Sequence, residues 1–175
     1  MSVATLMEMC LGDLAFSNDL ASLESSAIPA LWLGDNEGLF CGFVPARLSH
    51  QSDAERVTQI FRCATAEAGR YGVEVNPSLS MASLAERISN ARKNADLVAV
   101  FTCLYNAISP AQPLIELPAE LEAKAAAIRV WMTAHQDALR TITCLDLREK
   151  NIRYLPEEIS LLANLQRLIL SENPV

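Results

Sequence analysis

Two histidines, His50 and His135, and five cysteines, Cys10, Cys41, Cys63, Cys103 and Cys144, are the side chains of this 175-residue chain best suited to nucleophilic or metal chemistry. A catalytic thiol needs a neighbouring base, or a cationic or helix-end setting that lowers its pKa. Cys63 or Cys103 could be paired with His135 for that purpose, but no local motif joins them. Metal and redox sites use closely spaced ligands such as C-x-x-C, whereas even the nearest pair here, Cys41 and Cys63, lies far outside such spacing. Small thiols on the apolar faces of helices are the commoner role. Asp35-x-Glu37 has the first two ligands of a calcium loop without the later ones, so an ordinary turn is expected. Nucleophile elbows, phosphate-cradling loops and H-E-x-x-H are all missing. The expectation is a protein with no catalytic residue, no cofactor and no metal. An uncharacterised enzyme around Cys63 or Cys103 is the alternative.

The charge distribution narrows the partner class. Positions 1–46 carry Glu8, Asp13, Asp19, Glu24, Asp35 and Glu37 with no Lys or Arg, which is six of the net −7. The remainder is nearly balanced and has no basic stripe, so nucleic acid is an unsuitable partner because phosphate neutralisation supplies most of that affinity. No apolar run approaches the roughly 20 residues that span a bilayer, and the start lacks the basic and apolar regions of a Sec-type signal. Membrane insertion is not expected, and a cytoplasmic setting is.

Helices must position whatever these residues do. Near-helical apolar spacing over 4–23 suggests a helix or two, and 28–44 reads as a hairpin or a loop around Gly34-Asp35-Asn36-Glu37-Gly38. Ser52-x-x-Glu55 is a capping-box pattern and opens a helix with Val57, Ile60, Phe61, Ala64 and Ala68 on one face, closing near Tyr71-Gly72. After the break at Asn76-Pro77, Ser83-x-x-Glu86 repeats the capping signal ahead of Leu84, Ile88, Ala91, Ala95 and Val98, in a helix expected to reach about Tyr105. A connector over Ser109–Pro118 follows. The third helix spans Glu120 to about Leu139, with Leu121, Ile128, Met132 and Leu139 on one side and a Glu120/Lys124 pair on the other. Trp131 beside that stripe is expected to pack under the segment that follows.

From position 142 onward the period changes. Ile142, Leu145, Leu147 and Lys150 recur 23 positions later as Leu165, Leu168, Leu170 and Asn173. Between them lies Leu155-Pro156-Glu157-Glu158-Ile159-Ser160-Leu161-Leu162. A period of roughly 20–29 residues with an LxxLxLxxN core marks one coil of a solenoid. The segment resembles the leucine-rich repeat family in its 23-residue form, over about a fifth of the chain; residues 1–115 carry no such resemblance. The fold expected is mainly α, a helical N-terminal domain (1–115) and a capping helix (116–141) against a short leucine-rich repeat segment (142–175) of about 1.3 repeats. One coil cannot bury its own apolar face, so the helix must cover Leu145, Leu147, Ile152, Leu155 and Ile159. Its place ahead of the first strand is similar to the pre-repeat helix of bacterial leucine-rich repeat proteins.

The resemblance implies a protein-binding role, in a bacterial protein and in one form a secreted effector that reaches a host cell without a Sec-type signal. The residues it points to lie between the strand leucines: Cys144, Asp146 and Arg148, then Arg167, Ile169 and Ser171. Two strands make a patch smaller than a standard interface of roughly 800 Å² per partner, so Asp146, Arg148 and Arg167 as merely solvated charges is the competing reading. Asn173 is implied to bond backbone inside the coil; Lys150, with donors only, cannot do the same, so the first turn is expected to be irregular. The unpaired edge of Leu165–Leu170 invites another strand: either the natural protein continues past Val175, or a partner or a second copy covers the edge, and a homodimer through it, in a self-associating structural protein, is the alternative to binding a different protein.

Overall fold

The computed structural model of the chain describes residues 52–75, 81–108 and 116–174. The features expected over 4–23 and 28–44, with Cys10, Cys41, His50 and the Asp35-x-Glu37 turn, fall outside them, as do Asn76-Pro77 and most of the Ser109–Pro118 connector. The described part is mainly α, with 62% of residues in helices and 5% in strands. It divides into two compact units, Met1–Ser89 and Asn90–Val175.

In the first unit, helix α1 (Asp53–Arg70) opens on Ser52, whose hydroxyl accepts from the Glu55 amide at 3.4 Å while the Glu55 carboxylate accepts from the Ser52 amide at 2.9 Å. This reciprocal box satisfies two amides that the first turn leaves open. One stripe, Ala54, Val57, Ile60, Phe61, Ala64 and Ala68, is buried. The helix stops where Gly72 takes φ +67° and Val73 N–H reaches back to the Ala68 carbonyl at 2.8 Å; a residue without Cβ enters that region without steric cost.

Helix α2 (Met81–Ile108) crosses the division between units. Its start at Met81 places Ser83 inside the helix, so Ser83-x-x-Glu86 is not the N-cap that the pattern suggests, and its end at Ile108 lies beyond Tyr105. Its second half, from Leu97 to Ile108, packs with the downstream elements.

In the second unit, α3 (Leu121–Ala134) begins on Glu120, whose carboxylate accepts from the Glu122 and Ala123 amides at 3.0 and 2.7 Å. Glu120 is thus a cap, and the i,i+4 pair with Lys124 expected from spacing does not use it. These bonds favour the ionised carboxyl and hold it below the usual range. The single helix expected over 120–139 is broken at His135, and α4 (Gln136–Leu139) follows. Both kinds of polar group of His135 turn to the same carbonyl at this point. His135 sends both its backbone N–H (3.0 Å) and ring Nδ1 (2.8 Å) to the Trp131 carbonyl, and its ring stacks on the indole with centroids 4.2 Å apart.

Strands β1 (Cys144–Asp146) and β2 (Arg167–Ile169) then pair in parallel, joined through a 3-10 helix at Glu157–Leu161. The register sets Cys144 beside Arg167, Leu145 beside Leu168 and Asp146 beside Ile169, the same interval at which the sequence repeats. One core gathers Leu97, Val100, Phe101 and Leu104 of α2, Ala125, Ile128, Trp131 and Met132 of α3, and Leu139, Ile142, Leu145, Leu147, Ile152 and Leu162. Trp131 is buried, as expected, but its ring neighbours besides His135 are Phe101 and Tyr105 of α2. Of the residues expected under cover, Leu145, Leu147 and Ile152 are, Ile159 is half-buried, and Leu155 stays 38% exposed. Leu155 opens into a cleft instead of the core.

Candidate protein-binding face

A strand of alternating side chains places every second residue on one face. In β1 Leu145 points into the core while Cys144 and Asp146 are exposed, and Arg148 just beyond is exposed as well. The parallel register lays Arg167, half-buried Ile169 and exposed Ser171 beside them. The six residues singled out from the sequence are therefore brought together on one surface.

Their charges are not equivalent. Arg148 grips Asp146 with Nε on both carboxylate oxygens at 3.0 Å and Nη2 on one at 2.6 Å, while its own amide donates to Asp146 Oδ1. The hydrogen bonds from Arg148, with its positive charge, hold Asp146 below the usual carboxylate range, and the same pair raises Arg148. Among the described residues Arg167 has no ion pair. The face thus offers one bridged pair and one open guanidinium around Ile169.

Asn173 sets the turn at the C-terminal end of this face. Its Oδ1 accepts from the Lys150 and Ile152 amides at 3.1 and 2.9 Å; its Nδ2 donates to the Leu147 and Leu170 carbonyls at 2.6 and 3.0 Å. One amide thereby fastens the second turn to the first. Lys150 is exposed, and its own backbone N–H is one of the groups that Asn173 serves. Glu149 and Glu172, equivalent positions of the two turns, both take positive φ (58° and 62°), as does Asn151 (55°).

The loop behind β1 is pinned from α2 and α3. Buried Asp96 accepts from the Arg153 and Tyr154 amides at 3.3 and 2.8 Å. Burial raises its carboxyl above the usual range, against the opposing pull of those amides and of Arg92 and Arg153. Arg92, only 2% exposed, sets its guanidinium carbon 5.6 Å from the Tyr154 ring centre. Farther on, Arg129 of α3 pairs with Glu158 at 2.7 Å and with Asn94 at 3.1 Å. Between these two fixings lies a cleft of about 300 Å³ lined by Lys93, Arg129, Glu157, Glu158 and Tyr154-Leu155-Pro156. Sequence reasoning missed this loop fixing. Its signal was present in Arg92-x-x-x-Asp96, a cation and a carboxylate one turn apart on the side of α2 that is otherwise apolar.

The thiols differ in setting. Cys63 and Cys103 are half-buried and Cys144 is exposed. Burial pushes Cys63 and Cys103 up, opposite to what a nucleophilic thiol needs. At Cys103, Lys150 opposes that rise and Asp146 adds to it, while His135 is not among the groups acting on it. No cluster of three or more His, Cys, Asp or Glu able to hold a metal occurs among the described residues, and none of their helices is long and apolar enough to cross a membrane.

Comparison of the chain with protein-family models, with curated proteins and with solved structures finds no match.

Proposed function

We propose that residues 142–174 are a short leucine-rich repeat segment, roofed by α2, α3 and α4, that recognises another protein without catalysis. What supports this reading is one observation: a parallel register of one full repeat that aligns Cys144, Asp146 and Arg148 with Arg167, Ile169 and Ser171 on an exposed face. Interface hot spots favour arginine beside apolar contacts that exclude water. Arg167, unpaired and next to Ile169, is the residue of this face that fits that role best. Asp146 and Arg148 are fitted to orient a partner, since their mutual pair lowers what either gives to a second one. The bacterial, effector-type setting rests on the sequence resemblance alone.

The test is capture of binding proteins by the immobilised chain, compared with Arg167→Glu and with Asp146→Lys/Arg148→Glu. The expected result is at least one captured species lost with Arg167→Glu while the thermal melt is unchanged. Retention of every species by all variants would rule the face out.

A further inference from the structure

We propose that the cleft between α2, α3 and the 154–158 loop binds a free amino acid with a large apolar side chain, taking its carboxylate at Lys93 and its ammonium at Glu157. The site shares no residue with the strand face described above and does not depend on that face binding anything.

The cleft holds about 300 Å³. Ligand pockets run from roughly 300 to 1,000 Å³, so its occupant is small. One wall is apolar, formed by Tyr154-Leu155-Pro156. Tyr154 and Leu155 are 37% and 38% exposed, and with Val130 they are the large apolar side chains most open to solvent among the described residues. The wall is also fixed in advance. Asp96 accepts from the Arg153 and Tyr154 amides at 3.3 and 2.8 Å, the Ile159 amide donates to the Pro156 carbonyl at 3.1 Å, and Glu158 is held by Arg129 at 2.7 Å. A site built before its ligand arrives spends less of the binding energy on ordering loops.

The charged groups of the cleft select the ligand. Lys93 and Arg129 supply two cations, and Glu157 and Glu158 two carboxylates. Arg129 and Glu158 are committed to each other, and Arg129 also to Asn94. Lys93 and Glu157 are exposed and have no ion pair among the described residues. The cleft therefore keeps one uncommitted charge of each sign beside an apolar wall. A purely apolar ligand would displace water from both charges without replacing its hydrogen bonds. A ligand of one sign would satisfy one charge and face the other. The backbone of a peptide carries neither charge along its length. A free amino acid carries a carboxylate, an ammonium and a side chain on a single carbon, and a leucine- or phenylalanine-sized side chain meets Leu155 and Tyr154.

The experiment titrates the 1–175 chain, labelled at its leucine methyl groups, with L-phenylalanine, N-acetyl-L-phenylalanine and L-phenylalaninamide, and reads the Leu155 methyl shifts by NMR. Saturable shifts with phenylalanine and affinity about tenfold weaker for each blocked form are the expected result. Lys93→Gln should erase the advantage of the amino acid over its amide, and Glu157→Gln its advantage over the acetylated form. Both positions are exposed, so the thermal melts of these variants should match the parent. Blocked forms that bind as tightly as phenylalanine would overturn the proposal. So would preferences unchanged by either substitution, shifts that leave Leu155 untouched, or no saturation in the millimolar range.

Discussion

The two turns of residues 142–174 carry the same leucine pattern and end in different environments. In the first, Ile142, Leu145 and Leu147 lie in a core built from α2, α3 and α4; in the second, Leu165, Leu168 and Leu170 are half-buried, beside a strand that pairs only with β1 among the described residues. Burial at these positions is therefore conferred by what lies next to a turn, and not by the turn's own sequence. The polar anchor behaves in the opposite way. Asn173 belongs to the second turn yet satisfies the backbone of the first, so the second turn supplies hydrogen bonding to the one before it.

Substitutions at equivalent positions separate these effects. Leu145→Ala removes a fully buried side chain and should cost about 2–5 kcal/mol, whereas Leu168→Ala, at a partly exposed position, should cost about 1 kcal/mol. Urea unfolding followed by Trp131 fluorescence in a Trp32→Phe background measures both. Equal losses would mean that the two turns are equally covered. Asn173→Ala strands the Lys150 and Ile152 amides and should cost about 1–3 kcal/mol. Lys150→Asn has no earlier strand to serve among the described residues and should stay within about 0.5 kcal/mol of the parent; a gain comparable to the Asn173 loss would show that the first turn lacks only its asparagine.

Asp96 tests the roof of the first turn. Asp96→Asn keeps the shape but weakens acceptance from Arg153 and Tyr154, at about 1 kcal/mol near neutral pH. The sign of its pH dependence follows from the raised carboxyl. Between the unfolded carboxylate pKa and the higher folded one, the folded chain binds more proton than the unfolded chain, so this group's contribution to stability falls as pH rises through that window. The gap between the parent and Asp96→Asn should consequently widen on acidification from pH 7. Glu120 runs the other way: its carboxyl is lowered by its capping bonds, and that contribution is lost as pH falls through the folded value. A gap that narrows on acidification would contradict the assignment to Asp96. The smallest effect belongs to Asp146→Asn, whose exposed pair with Arg148 should leave the thermal melt unchanged, consistent with the small contribution of surface ion pairs.

Much of this arrangement was legible in advance because it depends on local chemistry. The Ser52 box, the stop at Gly72, the alternation around Leu145 and the repeat offset are set by residues close in sequence or recurring at a fixed interval. The asparagine's bonding to backbone followed from its place in the repeat. What was not legible depends on tertiary neighbours. Glu120 and Lys124 satisfy helical spacing equally as a pair, yet the open amides of Glu122 and Ala123 claim the carboxylate. Nothing in the 120–139 periodicity reveals that His135 folds back on Trp131. Leu155 fits the apolar pattern, but the Asp96 and Arg129–Glu158 fixings on either side hold its loop where that side chain faces the cleft. The second half of α2 could not be assigned to this core because its partners lie far along the chain, as Leu97 and Leu162 do.

The parallel register is the claim on which the rest depends, and the exposed thiol of Cys144 allows it to be read directly. Arg167→Cys sets a second thiol beside Cys144 across the β1–β2 pair, at the Cα separation of a few ångströms that a short bridge requires. Treatment with dibromobimane, which links only adjacent thiols, followed by peptide mapping should show a Cys144 to 167 crosslink. Gln166→Cys, one position out of register and on the other face, should show none. A crosslink that forms equally at 166 and 167, or at neither, would contradict the pairing of Cys144 with Arg167.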